Sequence, residues 1–182
     1  NDRNGGIVVV QANPQMPYTF GDAEISLDDI DYLIEVDEEL TEAPNISLTE
    51  TSLEIGSQIA SRVANGSTLQ LGIGGIPNAV IASMQKHQGL RIYTEMFSDG
   101  VLSLARSNAV DPESTLTASF LFGSRELYDW VNLNERVEMR RTEITNDPGL
   151  IAKQQQMTSI NAALQVDLFD QANASYVNGQ PY

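Results

Sequence analysis

Leu69-Gln70-Leu71-Gly72-Ile73-Gly74-Gly75-Ile76-Pro77-Asn78 decides how this chain is read, together with Tyr93-Thr94-Glu95-Met96-Phe97-Ser98-Asp99-Gly100 on the next strand. The first stretch reads as a strand running into a glycine-rich turn and then a helix. Three glycines with Pro77 close behind let the backbone turn sharply and approach a ligand closely. The second stretch reads as a strand ending in a carboxylate, at the edge where an open α/β sheet places its ligand crevice. An oxyanion-binding turn beside a lone glutamate suggests acyl chemistry.

Outward from these stretches, strands and helices alternate. Residues 7–12 are β-branched and apolar and read as a buried strand. Residues 13–22 hold two prolines and a glycine and read as a loop, and 30–36 as a second strand. Residues 41–45 form a linker. Ser47 and Glu50 have capping-box spacing, and Ile55, Ile59 and Val63 recur every four residues in the helix that follows. Strands are expected at 67–71, 90–94, 116–122, 137–140 and 157–161. Helices are expected after Pro77 and over 101–106, 125–133 and 148–155, and short strands near 166–168 and 174–177. This pattern predicts an α/β fold with a largely parallel sheet flanked by helices.

Composition narrows the function. With no cysteine, the chain has no disulfide, no thiol nucleophile and no cysteine-based metal site, which fits a cytoplasmic protein. A net charge of −15 argues against nucleic acid and anionic membrane as partners, because phosphate binding needs clustered Lys and Arg. A small anionic ligand is still compatible, since backbone amides bind it locally. No apolar run approaches the roughly 18 residues of a membrane span. The chain does not begin with Met and reads as a fragment or a processed chain, its first six residues as a loop.

The glycine turn is not a dinucleotide fingerprint: the third required glycine falls at Pro77, and a P-loop lysine is missing. Its spacing fits a structural tight turn as well as a ligand site. Glu95 at a strand end fits a solvated carboxylate as well as a nucleophile that attacks an acyl carbon to form a mixed anhydride. The neighbouring Met96 and Phe97 favour partial desolvation. His87 is the sole histidine and reads as exposed, leaving no Ser-His-Asp set and no histidine-rich metal site. Asp28, Asp29 and Asp31 lack calcium-loop spacing. Arg136, Arg140 and Arg141 read as partners of Glu135, Glu138 and Glu143.

The chain resembles the acetyl-CoA hydrolase/transferase family nearly end to end. The resemblance rests on residues 10–22, 69–78 and 93–100, on Asn146-Asp147-Pro148, and on residues 159–167. It implies a CoA-transferase-like fold, with residues 1–45 as the end of a preceding α/β domain and 46–182 as the start of a second. It also implies ping-pong transfer of CoA between carboxylic acids through a glutamyl-CoA thioester on Glu95. Gly72, Ile73, Gly74, Gly75 and Ile76 match the family's CoA-contacting loop, and Asn161 and Leu164 a segment lining the CoA site. Coenzyme A is then a substrate rather than a permanent cofactor, and the partners are an acyl-CoA and a small carboxylate. Family members are longer than this chain, so a second glycine-rich segment would lie outside it, and unpaired strand edges would favour a homo-oligomer. Other readings are an acyl-CoA hydrolase, a catalytically silent CoA-binding or oligomerisation module, and a sugar-phosphate isomerase with Glu95 as base.

Overall fold

A computed structural model describes residues 5–181, so Asn1 to Asn4 of the expected N-terminal loop, and Tyr182, lie outside the described residues. Six parallel strands form the central sheet. They are β2 (Phe20–Gly21), β4 (Thr68–Leu71), β5 (Arg91–Tyr93), β7 (Leu116–Ala118), β9 (Val137–Met139) and β10 (Met157–Ile160), in the order β10-β4-β5-β7-β9-β2. Parallel strands need crossovers, and helices supply them: α2 (Gly75–Ser83), α3 (Asp99–Arg106) and α4 (Arg125–Val131) follow β4, β5 and β7. Consecutive residues Thr68-Leu69 and Leu116-Thr117-Ala118 are all buried, so both faces of the central strands are covered. Leu69, Leu71, Ile92, Leu116 and Val137 from the sheet share one core with Val80, Met84, Val101, Leu104 and Leu127 from the helices.

The N-cap of the first helix, α1 (Glu50–Ala60), lies two residues later than expected. Thr49 is the N-cap: its side chain accepts from the Ser52 N–H, while the Ser52 hydroxyl oxygen accepts from the Thr49 N–H. Ser52 thus fills the role expected of Glu50, which instead places its charge at the positive helix end. α1 crosses α2 in backbone contact. A Cβ on Gly56 would lie 2.5 Å from the Ala79 carbonyl carbon and 2.8 Å from the Val80 nitrogen.

Other expectations change in detail. The apolar run at 116–122 is two strands, because Ser119 bends the chain and β8 (Phe120–Leu121) leaves the sheet to pair with β6 (Met96–Phe97). The helix expected at 148–155 is a single turn, α6 (Pro148–Ile151), preceded by another, α5 (Thr142–Thr145). His87 is half-buried rather than exposed, its Nε2 lying 3.0 Å from the Val63 carbonyl oxygen. Among the described residues β1 (Val9–Ala12) pairs only with β3 (Tyr32–Glu35), so the run read as a buried strand leaves Val9 58% exposed. A two-stranded pair has too few strands to build its own core. Beyond β10, two small hairpins close the chain: β11 (Gln165–Val166) with β12 (Ala172–Asn173), and β13 (Tyr176–Val177) with β14 (Gln180–Pro181).

Replacing Gly56 by Ala is expected to destabilise the fold by about 1–3 kcal/mol, because the added methyl meets α2 backbone that cannot rotate away. Alanine's better helix propensity favours the opposite sign. A lowered urea midpoint at unchanged m-value confirms the backbone contact. An equal or raised midpoint contradicts it.

Candidate functional site

Because the six strands run the same way, the residues that follow them share one edge of the sheet. Along it stand Asn161 after β10, Gly72 after β4, Glu95 near the end of β5, Ser119 after β7, Arg140 after β9 and Asp22 after β2. The glycine turn occupies the middle. Gly74 has φ 110°, a conformation that a side chain disfavours, and it stands at the N-cap of α2. Among the described residues no side chain caps that helix, so the Gly75 and Ile76 amides at its start are open donors, while Pro77 has none to offer. At Gly72 a Cβ would lie 2.5 Å from Asn161 Oδ1. Asn161 Nδ2 donates to Gln70 Oε1 (2.8 Å) and to Ser159 Oγ (3.0 Å), so Asn161 and the turn form one wall.

Glu95 is half-buried in the bend between β5 and β6. Its carbonyl oxygen accepts from the Ser119 N–H (2.8 Å) and the Phe120 N–H (3.1 Å). Among the described residues no hydrogen bond or ion pair engages its carboxylate. The preceding residue fixes its place. Thr94 is buried, and its hydroxyl accepts from the Leu71 N–H (3.1 Å) and donates to the Leu71 carbonyl (3.2 Å). That side chain carries the β4–β5 joint past the last ladder pair, and so fastens Gly72 beside Glu95. Downstream, the Asp99 carboxylate at the start of α3 accepts from the Ser124 N–H (3.0 Å) and hydroxyl (2.6 Å), locking α3 to α4.

Two clefts open near Glu95. One, of about 620 Å³, is lined by Ile73 and Gly74 of the turn, by Met96 and Ser98, and by the linker at Ala43 to Leu48. The other, of about 390 Å³, is lined in part by Ser119 and Phe120, the two residues whose amides hold the Glu95 carbonyl. Glu95 itself lines neither. Leu164 lines neither as well; it sits 42% exposed beside the β11–β12 hairpin, its N–H donating to the Asn173 carbonyl.

The arginines behave partly as expected. Arg140 pairs with Glu138 (2.7 Å) and Arg141 with Glu143 (3.0 Å), while Arg136 instead donates to the Asp111 carbonyl. Asp22 joins both ion pairs. The Arg141 amide first, then the Arg140 and Arg141 guanidiniums, hold its carboxyl below the ordinary range. This network pins the end of the 13–22 stretch, expected to be all loop but containing β2, to the end of β9.

Sequence reasoning missed Thr94, Asp99 and Ser124 as positioning residues. The available signal was a buried-type polar residue at the end of an apolar strand. Replacing Thr94 by Val keeps the shape but leaves the Leu71 N–H and carbonyl unpaired. The expected cost is about 1–3 kcal/mol in chemical denaturation, with faster amide exchange at Leu71 and Gly72. Unchanged stability and exchange would show that the clamp does not set the turn.

The model of the acetyl-CoA hydrolase/transferase C-terminal domain matches residues 123–182. The chain is 38% identical over 171 residues to the 4-hydroxybutyrate coenzyme A transferase of Clostridium kluyveri, covering 91% of this chain and 40% of that protein. It is 41% identical over 170 residues to the succinyl-CoA:cyclohexane-1-carboxylate CoA transferase of Geobacter metallireducens, covering 90% and 39%. The crystal structure of a 4-hydroxybutyrate CoA-transferase from Porphyromonas gingivalis superposes with a TM-score of 0.84 at 40% identity, over 89% of this chain and 43% of that one. The chain spans about two fifths of the length of these relatives. The chain is thus similar in sequence and in its parallel sheet to CoA transferases across nearly its whole length, and residues 123–182 match the acetyl-CoA hydrolase/transferase family.

Proposed function

We propose that this chain carries the nucleophile and one wall of the coenzyme A site of an enzyme that transfers CoA between an acyl-CoA and a small carboxylic acid. One observation supports this reading in a chain of this family: Thr94, next to a Glu95 whose carboxylate is unengaged among the described residues, is bonded to Leu71 at the entry to an uncapped glycine turn. The Glu95 carboxylate attacks the thioester carbonyl carbon. A C–O bond forms, the C–S bond breaks, and an acyl-glutamyl anhydride and CoA thiolate result. The thiolate then attacks the glutamyl carbonyl, forming glutamyl-CoA and releasing the first acid as its carboxylate. An incoming carboxylate reverses both steps. The open Gly75 and Ile76 amides are suited to the negative charge that develops on oxygen, and Gly72 to Ile76 with Asn161 and Leu164 to contact with CoA. CoA enters and leaves as a substrate.

Water in place of the second carboxylate gives hydrolysis, the other activity in the family's name. The two readings differ in whether loss of acyl-CoA depends on an added acid. The exposed two-stranded pair β1–β3 supports reading residues 1–45 as the end of a preceding α/β domain, with 46–182 opening the next. Even so, β2 from the first segment completes an edge of the central sheet.

The test is covalent trapping. The protein that carries this chain, incubated with acyl-CoA and digested, is expected to show a CoA adduct on the peptide containing residue 95. The adduct should be absent from the Glu95→Gln variant. A folded protein that turns over acyl-CoA with no adduct, or an adduct that survives Glu95→Gln, overturns the assignment.

A further inference from the structure

The 390 Å³ cleft is walled by Met16, by Ala23 just after β2, by Leu40 just before the linker, and by Leu121 and Met139 from the strand edge. No Lys, Arg, His, Asp or Glu lines it. Tyr128 does line it, and its hydroxyl donates to the Thr41 carbonyl at 3.0 Å. The arginines at the end of β9, Arg140 and Arg141, are engaged by Asp22, Glu138 and Glu143. The walls are also fixed. The Ala43 N–H donates to the Gly123 carbonyl (2.9 Å), the Tyr18 N–H to Asn132 Oδ1 (2.8 Å), and Arg125 to Gln15 Oε1 (2.9 Å). A preformed apolar cavity of this size is the ordinary form of a small-molecule site.

Its position gives it a role. Ser119 and Phe120 form part of its wall, and their amides hold the Glu95 carbonyl, while the glycine turn lines the other cleft. We propose that this cleft receives the acyl tail of the substrate, and that it selects uncharged apolar tails of about four to six carbons over dicarboxylates. The assignment rests on the proposed acyl transfer at Glu95. At about 30 Å³ per water the cleft holds about a dozen waters, so an acetyl group leaves most of it wet. A longer apolar chain displaces that water favourably. A second carboxylate instead buries a charge with no free cation to meet it.

The test labels the methionine methyls with ¹³C and titrates the protein with hexanoate and, separately, succinate. Met16 and Met139 line the cleft, whereas Met84 is fully buried between helix and sheet and serves as the internal reference. Hexanoate is expected to shift the Met16 and Met139 resonances and leave Met84 in place, and succinate to shift none. Ala23→Phe, at an exposed position on the cleft wall, fills the cleft from its rim without replacing a residue of the sheet. It is expected to abolish the hexanoate shifts and to lower kcat/KM for hexanoyl-CoA about tenfold relative to acetyl-CoA. Unmoved Met16 and Met139 at saturating hexanoate, or equal shifts with succinate, overturn the proposal. Hexanoate shifts without any adduct on residue 95 keep the cleft and overturn the nucleophile instead, which separates the two readings.

Discussion

The Thr94 hydroxyl holds the ends of the two central strands together, accepting from one backbone group of Leu71 and donating to the other. On the β4 side the chain turns away at once through Gly72, and on the β5 side it bends at Glu95. The ladder between these strands pairs only Thr68 with Arg91 and Leu69 with Ile92. Without a side chain to extend the joint, two loops would leave the sheet with no fixed relation to each other. Both groups it satisfies are deeply buried, so the bond is enforced by the cost of leaving them dry and unpaired. A chemical relation between a turn and a carboxylate 23 residues apart therefore depends on one polar atom in an apolar layer.

The electrostatics fit the proposal that backbone amides rather than charged side chains meet the substrate. The chain carries 25 acidic against 10 basic residues. Arg91, Arg106, Arg125, Arg140 and Arg141 are each paired with a carboxylate. These are partly exposed pairs and contribute little to stability individually. Their effect, among the described residues, is to take up half of the chain's ten cations, so under the proposed function an anionic substrate is met largely by fixed dipoles. An uncapped helix start behind a glycine turn supplies such dipoles without attracting bulk polyanions.

The central sheet was legible because its strands are short apolar runs separated by helices with turn residues between, a pattern that fixes strand direction through crossover length. The glycine turn and Glu95 could be singled out for the same reason: each follows a strand. Less legible was everything decided by tertiary contact. The Thr49–Ser52 cap displaces the Ser47–Glu50 spacing because the shorter Ser52 side chain reaches back while Glu50 faces out. The break at Ser119 has no sequence signal within 116–122. It follows from the two amides drawn to the Glu95 carbonyl, 24 and 25 residues away in the chain. Asp99 reads locally as a helix-start carboxylate, and only the packing of α3 on α4 shows it gripping Ser124.

The central claim is that the glycine turn and Glu95 act on the same thioester. A crystal structure of the Glu95→Gln variant soaked with an acyl-CoA measures this directly. The account predicts the thioester carbonyl carbon within about 3–3.5 Å of the residue 95 side chain, its oxygen facing the Gly75 and Ile76 amides. Coenzyme A bound with its thioester remote from residue 95, or with no contact to residues 72–76, would contradict it.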